Sequence, residues 1–340
     1  MHICLLITFI ISVDSICDNL AICETCAGTY DQCRWCISTK SCVSSKYLCH
    51  PWKTVLHEVN CPGRISSTYN HSFNNNQIAR YIHAANRVSH NSPPGAPKSC
   101  LDKIGDDITI LTEVEVPMEF GDNSIGVLIG VNHDLHHIFV GFRSTNEPVQ
   151  LLTQFWVYMM GWMEDFPLGG RMVAFNVFAY DEILKSGFDG FLKNAVEKYP
   201  DFPILFTGHS LGGTMATIMS LHTATNYPDK KIVLYSWSAP RSGDETFVKL
   251  LRQRLDEGYR VVRDGDFIPD LPFRISQTLE TPHHNEFEVF YQSDMTELSF
   301  VICDQPETEY CLKGSWWKKP AAHAYLFDQN YWNYHLGNCT

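Results

Sequence analysis

Gly208-His209-Ser210-Leu211-Gly212 is the stretch of this chain whose residue types and spacing most directly suggest chemistry. It has the G-x-S-x-G form of a nucleophile elbow, in which a serine sits in a strained turn between a strand and a helix. The spacing has a steric cause. Without side chains two residues before and after the serine, strand and helix can close on the turn without a clash. The strain exposes the hydroxyl, and the N-terminus of the following helix turns backbone N–H groups toward a developing oxyanion. Such a pentapeptide is common by chance, so its flanks decide. Here the apolar run PILFTG (203–208) precedes it and the small-residue stretch GGTMATIMSLHTAT follows. They predict the strand and the helix that the turn requires.

A serine hydroxyl is a weak nucleophile, so this chemistry also needs a general base and an acid that orients it. With such an elbow the partners follow the serine in the order Ser, Asp or Glu, His. Of the fifteen histidines, His283, His284, His323 and His335 satisfy that order. The acids cluster in RVVRDGDFIPDLP as Asp264, Asp266 and Asp270, just after a strand-like run and in a turn rich in Gly and Pro. Spacing alone does not choose among them. His284 precedes the run FEVFY, where Glu288 could serve as its hydrogen-bond partner, as suits a structural histidine. His323 lies past the last strand-like run, in a Pro- and Ala-rich segment able to reach across the edge of a sheet.

The elements that must position these residues are legible from about residue 78 onward. Short β-branched and apolar runs predict strands at 126–131, 137–142, 203–208, 231–237, 259–262, 287–291 and 298–303. Helical spacing predicts helices over 178–199, from Ser210 onward and over 247–255. Strands alternating with helices in this way predict an α/β sheet flanked by helices. The 340 residues are 44% hydrophobic and 19% charged, a globular balance that excludes a disordered chain. The length allows one large domain plus something small, or two mid-sized ones. With 38 acids against 26 bases, the net charge of −12 makes nucleic acid a poor partner and disfavours attachment to anionic membranes.

Eight of the thirteen cysteines fall between residues 17 and 61. Cys23-x2-Cys26 and Cys33-x2-Cys36 have the paired look of a zinc site, but the six residues between the pairs are fewer than the roughly twelve of zinc loops. The N-terminus favours disulfides. The apolar run Ile3–Val13 fits the core of a signal peptide cut after Ser15, which places the mature chain in an oxidising compartment and leaves twelve cysteines for six bridges. The run is too short to span a bilayer, and no later segment is long enough. The expected organisation is a signal peptide (1–15), a cysteine-rich module (16–61), a polar linker (62–77) and an α/β domain (78–340). The linker carries Asn70-His71-Ser72, an acceptor sequon for N-glycosylation at Asn70.

Four segments in order resemble the fungal-type class 3 lipases of the α/β-hydrolase fold, over roughly residues 78–340. FTGHSLGG resembles the family's elbow. RDGDFIPDLP resembles its acid-bearing segment and implies Asp266 as the acid. AAHAYLF resembles its late histidine segment and implies His323 as the base. GFRSTNE (141–147) resembles the strand end that supplies an oxyanion-hole donor, which by position is Thr145, with the N–H of Leu211 as the second. Here Ser144 stands where that family usually has Gly. On the same resemblance His284 and Glu288 are framework, Cys303 and Cys311 form a local disulfide, and Cys100 pairs with Cys339. The N-terminal cysteines resemble a plexin–semaphorin–integrin (PSI) module, with Cys33-Arg34-Trp35-Cys36 matching its Cys-Gly-Trp-Cys except at Arg34. Such modules space or orient neighbouring domains, which implies a protein partner.

Residues 148–163, PVQLLTQFWVYMMGWM, read either as a core helix or, by position in the resemblance, as an amphipathic lid over the active site. The expected activity is a secreted serine lipase, a carboxylester hydrolase with no cofactor and no metal, acting on a lipid ester at an oil–water interface. Two other readings compete with it. One is a catalytically silent secreted binding protein on the same fold, and the other is a zinc-binding adaptor built on the cysteine cluster.

Overall fold

The computed structural model describes residues 13–29, 32–47, 49, 54–62, 69–118, 124–143, 163–272, 281–285, 287–303, 306, 320–327, 329–330 and 339. The chain divides into two units, Met1–Arg64 and Ile65–Thr340. In the first, helices α1 (Val13–Cys17) and α2 (Cys23–Ala27) precede a small antiparallel sheet. Its strands are β1 (Cys33–Cys36), β2 (Ser41–Ser44) and β3 (Thr54–Val55), in the order β2-β1-β3. Helix α1 spans the position at which the leader is expected to be cut. Trp35 and Val55 fill a core made largely of half-cystines. So few apolar side chains hold a fold weakly, and the cross-links supply the rest by constraining the unfolded chain. Cys17–Cys33, Cys23–Cys61, Cys26–Cys42 and Cys36–Cys49 all close inside this unit. Among the described residues, Cys17, Cys33 and Cys42 are the one group of metal-type ligands close together. Their sulfurs are committed to disulfides, so the zinc-adaptor reading does not stand.

The second unit begins differently from expectation. The polar stretch read as a linker becomes helical at α3 (His71–Phe73), capped by Asn70, whose side chain accepts from the Phe73 N–H at 2.9 Å. A π-helical turn, Asn74–Ile78, continues into α4 (Ala79–Asn86). Asn and Ser in this stretch mask an apolar stripe, because buried Tyr69, Ile78, Tyr81 and Ile82 reach the core. After α5 (Ala96–Leu101) come β4 (Ile108–Pro117), β5 (Ser124–Asn132) and β6 (His137–Phe142). A hairpin, β7 (Met163–Asp165) and β8 (Arg171–Val173), leads into α6 (Ala174–Lys185) and α7 (Phe188–Lys198). The single helix expected over 178–199 is thus two. Gly187, at φ 93°, turns the chain where an L side chain would be strained.

Next come β9 (Ile204–His209), α8 (Leu211–Asn226), β10 (Ile232–Trp237), α9 (Glu245–Arg254), β11 (Glu257–Arg263), β12 (Phe287–Tyr291) and β13 (Phe300–Cys303). A separate two-stranded piece, β14 (Tyr325–Leu326) and β15 (Gln329–Asn330), follows. The main sheet has eight strands in the order β13-β12-β11-β10-β9-β6-β5-β4. Strands β6, β9, β10, β11 and β12 run parallel, with antiparallel strands at both edges.

The parallel strands read as unbroken apolar runs because helices cover both faces. On one face α4 packs over Leu128, Phe139 and Leu205, with Tyr81 stacked on Phe139 at 4.1 Å between centroids. Gly141 lets α4 approach, since a Cβ there would lie 2.9 Å from that of Ala85. On the other face α8 runs along β9 and β10. Fully burying such side chains stabilises the fold by about 1.5–3 kcal/mol each.

Candidate active site

Strand β9 ends at His209 and α8 begins at Leu211, so Ser210 alone makes the turn between them. Its backbone sits at φ 56° and ψ −125°, a conformation costing about 1–3 kcal/mol in an L residue. Three hydrogen bonds hold it there. The Ser210 N–H donates to the Trp237 carbonyl at 2.8 Å, and its carbonyl accepts from the N–H groups of Gly213 (3.0 Å) and Thr214 (3.1 Å). A Cβ at position 208 would lie 2.3 Å from the Gly212 carbonyl carbon, and one at position 212 would lie 2.3 Å from the Phe142 carbonyl oxygen. The two glycines therefore bring the first turn of α8 against both β9 and the end of β6. The N–H of Leu211 opens that turn and has no backbone acceptor among the described residues. Ser210 Oγ is buried and has no hydrogen-bond partner among them.

Asp266 stands in the turn after β11, which Gly265 allows at φ 84°. Its N–H donates to the Arg263 carbonyl at 3.1 Å, and its Oδ1 accepts from the Ile268 N–H at 3.0 Å. His323 comes from the 3-10 turn Pro320–Ala324. Its Nδ1 lies 2.9 Å from Asp266 Oδ2 and 3.1 Å from Oδ1, with both side chains buried. A carboxylate can only accept, so the proton of neutral His323 sits on Nδ1. Nε2 is left with its lone pair, the tautomer a general base needs.

Of the three candidate acids, Asp266 is joined to the candidate base His323. The Asp264 N–H donates to the Tyr291 carbonyl, and the Asp270 carbonyl accepts from Arg241. His283 and His284 are buried beside the sheet, and the His283 N–H donates to the Gly243 carbonyl at 2.8 Å. Glu288, read as a partner for His284, is ion-paired with Arg260 on the neighbouring strand at 2.7 Å. A disulfide joins Cys100 to Cys339. Cys303 is disulfide-bonded as well, while Cys311 lies outside the described residues. Ser144, Thr145, His335 and residues 148–162 of the core-helix-or-lid segment also lie outside them. Asn70 is exposed.

Two sets of residues beside the site escape a reading from motifs. At the end of β6, Arg143 is buried and bonds the Ser124 carbonyl (2.9 Å), Glu115 Oε1 (3.1 Å) and, on its other guanidinium nitrogen, the Val88 carbonyl. It fixes the strand end from which the chain continues toward Thr145. The second set is His209 and His83. His209 Nε2 donates to the His323 carbonyl at 2.9 Å, and the two rings lie 4.5 Å apart. Burial, and then the neighbouring His323, push the His209 imidazole well below its ordinary pKa. A histidine inside the elbow signature was the available signal.

Residues 139–276, from β6 past Asp266, match the family described as Lipase (class 3). The chain is 25% identical over 217 residues to Lipase ZK262.3 of Caenorhabditis elegans, covering 57% of this chain and 60% of that protein. It is 28% identical over 124 residues to the secreted alkaline triacylglycerol lipase of Penicillium cyclopium, covering 36% and 42%. It therefore spans less than two thirds of either relative. The crystal structure of the lipase from Rhizopus microsporus var. chinensis superposes with a TM-score of 0.62 at 20% identity, covering 79% of this chain and 93% of that one. At that identity the likeness is one of fold. The second unit has an eight-stranded, helix-flanked sheet of the fold seen in that structure, and a small disulfide-bonded sheet precedes it in the chain.

Proposed function

We propose that this chain is a secreted serine hydrolase that cleaves carboxylic esters of lipids, of the triacylglycerol type, through an acyl-enzyme on Ser210. One observation carries the reading: Ser210 occupies a strained elbow, and the residue before it is bonded to the backbone of a histidine already oriented by a buried aspartate. In the first step Ser210 Oγ attacks the ester carbonyl carbon while His323 Nε2 takes its proton. The oxygen that becomes negative is met by the N–H of Leu211 and by Thr145. Collapse breaks the bond to the alcohol, which leaves with the proton from His323. Water, deprotonated by His323, then attacks the acyl group on Ser210. The fatty acid departs and the serine regains its proton. Asp266 holds the ring and balances the imidazolium charge in both halves.

Substrate class rests on the lipase (class 3) match and the lipase relatives. An extracellular site rests on the disulfide bonds and on the relative described as secreted. Among the described residues no helix is long and apolar enough to cross a membrane. The cysteine pattern of the first unit supports a PSI-like module that contacts a protein partner.

Turnover of a short p-nitrophenyl ester, compared with Ser210→Ala, tests the reading. The variant is expected to fall about 10³-fold or more while keeping its thermal midpoint. Activity within tenfold of the parent would remove Ser210 from the mechanism. A parent with no turnover on any ester of a chain-length series would favour the silent binding protein.

A further inference from the structure

Among the described residues, the base of the proposed mechanism is carried by short elements alone. His323 lies on a 3-10 turn, followed by the two-residue strands β14 and β15, which pair with each other and not with the eight-stranded sheet. General-base catalysis by a serine–histidine pair depends on sub-ångström placement, and misplacement by about 1 Å can cost 10²-fold. Side chains must supply what secondary structure does not. Two buried histidines reach this segment from elements packed in the main body. His83 on α4 places Nε2 3.0 Å from Gln329 Oε1, and His209 at the end of β9 places Nε2 2.9 Å from the His323 carbonyl oxygen. A carbonyl only accepts, so His209 Nε2 carries the hydrogen and donates.

Resting on the Ser210–His323 reading, we propose that His209 is a positioning residue whose ring N–H holds the backbone of the base in register with the nucleophile. Its place in the chain is what gives it this role. His209 is covalently joined to Ser210 and hydrogen-bonded to the His323 backbone, so one residue sets nucleophile and base relative to each other. Its neutrality matters too. His323 becomes an imidazolium during each half-reaction, and a second positive ring 4.5 Å away would oppose that charge. Burial and the neighbouring histidine keep His209 uncharged. An apolar residue would fill the same volume but leave the His323 carbonyl without this donor.

The test uses the full chain and a soluble p-nitrophenyl ester, with three variants. His209→Leu removes the donor, His209→Gln places an amide N–H near the position of Nε2, and His209→Asn carries the same amide one methylene short. Replacing the donor by Leu or Asn is expected to lower kcat about 10- to 100-fold with KM within about twofold. His209→Gln should stay within about fivefold of the parent. A Leu variant within threefold of the parent kcat, or a Gln variant no better than Leu, overturns the proposal. Should His209→Leu not fold, the Gln–Asn pair decides, and equal losses in the two overturn it. These outcomes differ from failure of the underlying reading, in which the parent itself shows no Ser210-dependent turnover and both claims fall.

Discussion

The strained backbone of Ser210 delivers a hydroxyl, but whether that hydroxyl reacts depends on which imidazole meets it. His323 and His284 are both buried and both follow the acid in the chain, and it is His323 whose Nδ1 lies 2.9 Å from Asp266 Oδ2. His323→Ala is expected to lower kcat about 10³-fold or more. Its loss of stability should be modest, because Asp266 keeps the Ile268 N–H. His284→Ala should mainly lower the thermal midpoint, measured beside turnover on the same preparations. The reverse pattern would move the base to His284. Ser210 is legible in the sequence because its steric requirement is local, two glycines at fixed offsets. Asp266 and His323 are not local to each other, since 57 residues separate them. Composition left three acids and four histidines open, and the resemblance narrowed them. His209 was overlooked because nothing in its spacing says that its ring reaches the backbone of a residue 114 positions away.

At the level of elements, the site depends on how closely α8 and β6 approach. A Cβ on residue 212 would collide with the Phe142 carbonyl, and backbone cannot yield as a flexible side chain can. Gly212→Ala is therefore expected to cost about 1–3 kcal/mol, read by denaturant melts. It should lower kcat as well, because the Leu211 N–H shifts with the helix. An undiminished kcat would argue that this turn supplies no oxyanion donor. The strand end of β6 is also set by charge. Burial alone would push the Glu115 carboxyl up, but hydrogen bonds from Ser124, His90 and Arg143 outweigh it and hold it at about 2 instead of 4.5. A carboxyl depressed in the folded state contributes stability that is complete above its unfolded value and lost as pH falls through the folded one. Glu115→Gln should thus cost about 1–2 kcal/mol at pH 7. The difference should shrink as pH falls from 4.5 toward about 2, and an undiminished difference at the acid end would contradict the assignment. The buried parallel strands were legible because burial on both faces leaves unbroken apolar runs. Strand β4, ITILTEVEVP, was not, since an edge strand half open to water carries Thr and Glu among its apolar residues. Helix α4 was hidden behind the Asn-rich π-helical turn that precedes it.

Over the whole molecule, cross-links take the place of core in one unit and tie down the chain end in the other. Four bridges hold a first unit whose apolar core is small, and Cys100–Cys339 closes a separation of 239 residues across the second. In the chain-entropy account so long a loop is worth about 5 kcal/mol, an upper figure. The double substitution Cys100→Ala/Cys339→Ala should lower stability by about 2–5 kcal/mol without altering the sheet's circular dichroism. The crowding of cysteines before residue 61 marks the stretch within which four bridges close. The helix start at Asn70 was not legible, because its Asn and Ser residues look like those of a free linker. The claim on which all of this turns is that Ser210 is the nucleophile, and intact-protein mass spectrometry after treatment with an alkyl fluorophosphonate tests it most directly. A nucleophilic Ser210 gives a single phosphonyl adduct, located by peptide mapping to Ser210 and lost in both Ser210→Ala and His323→Ala. No adduct on the folded parent protein, or an adduct that survives in Ser210→Ala, would contradict it.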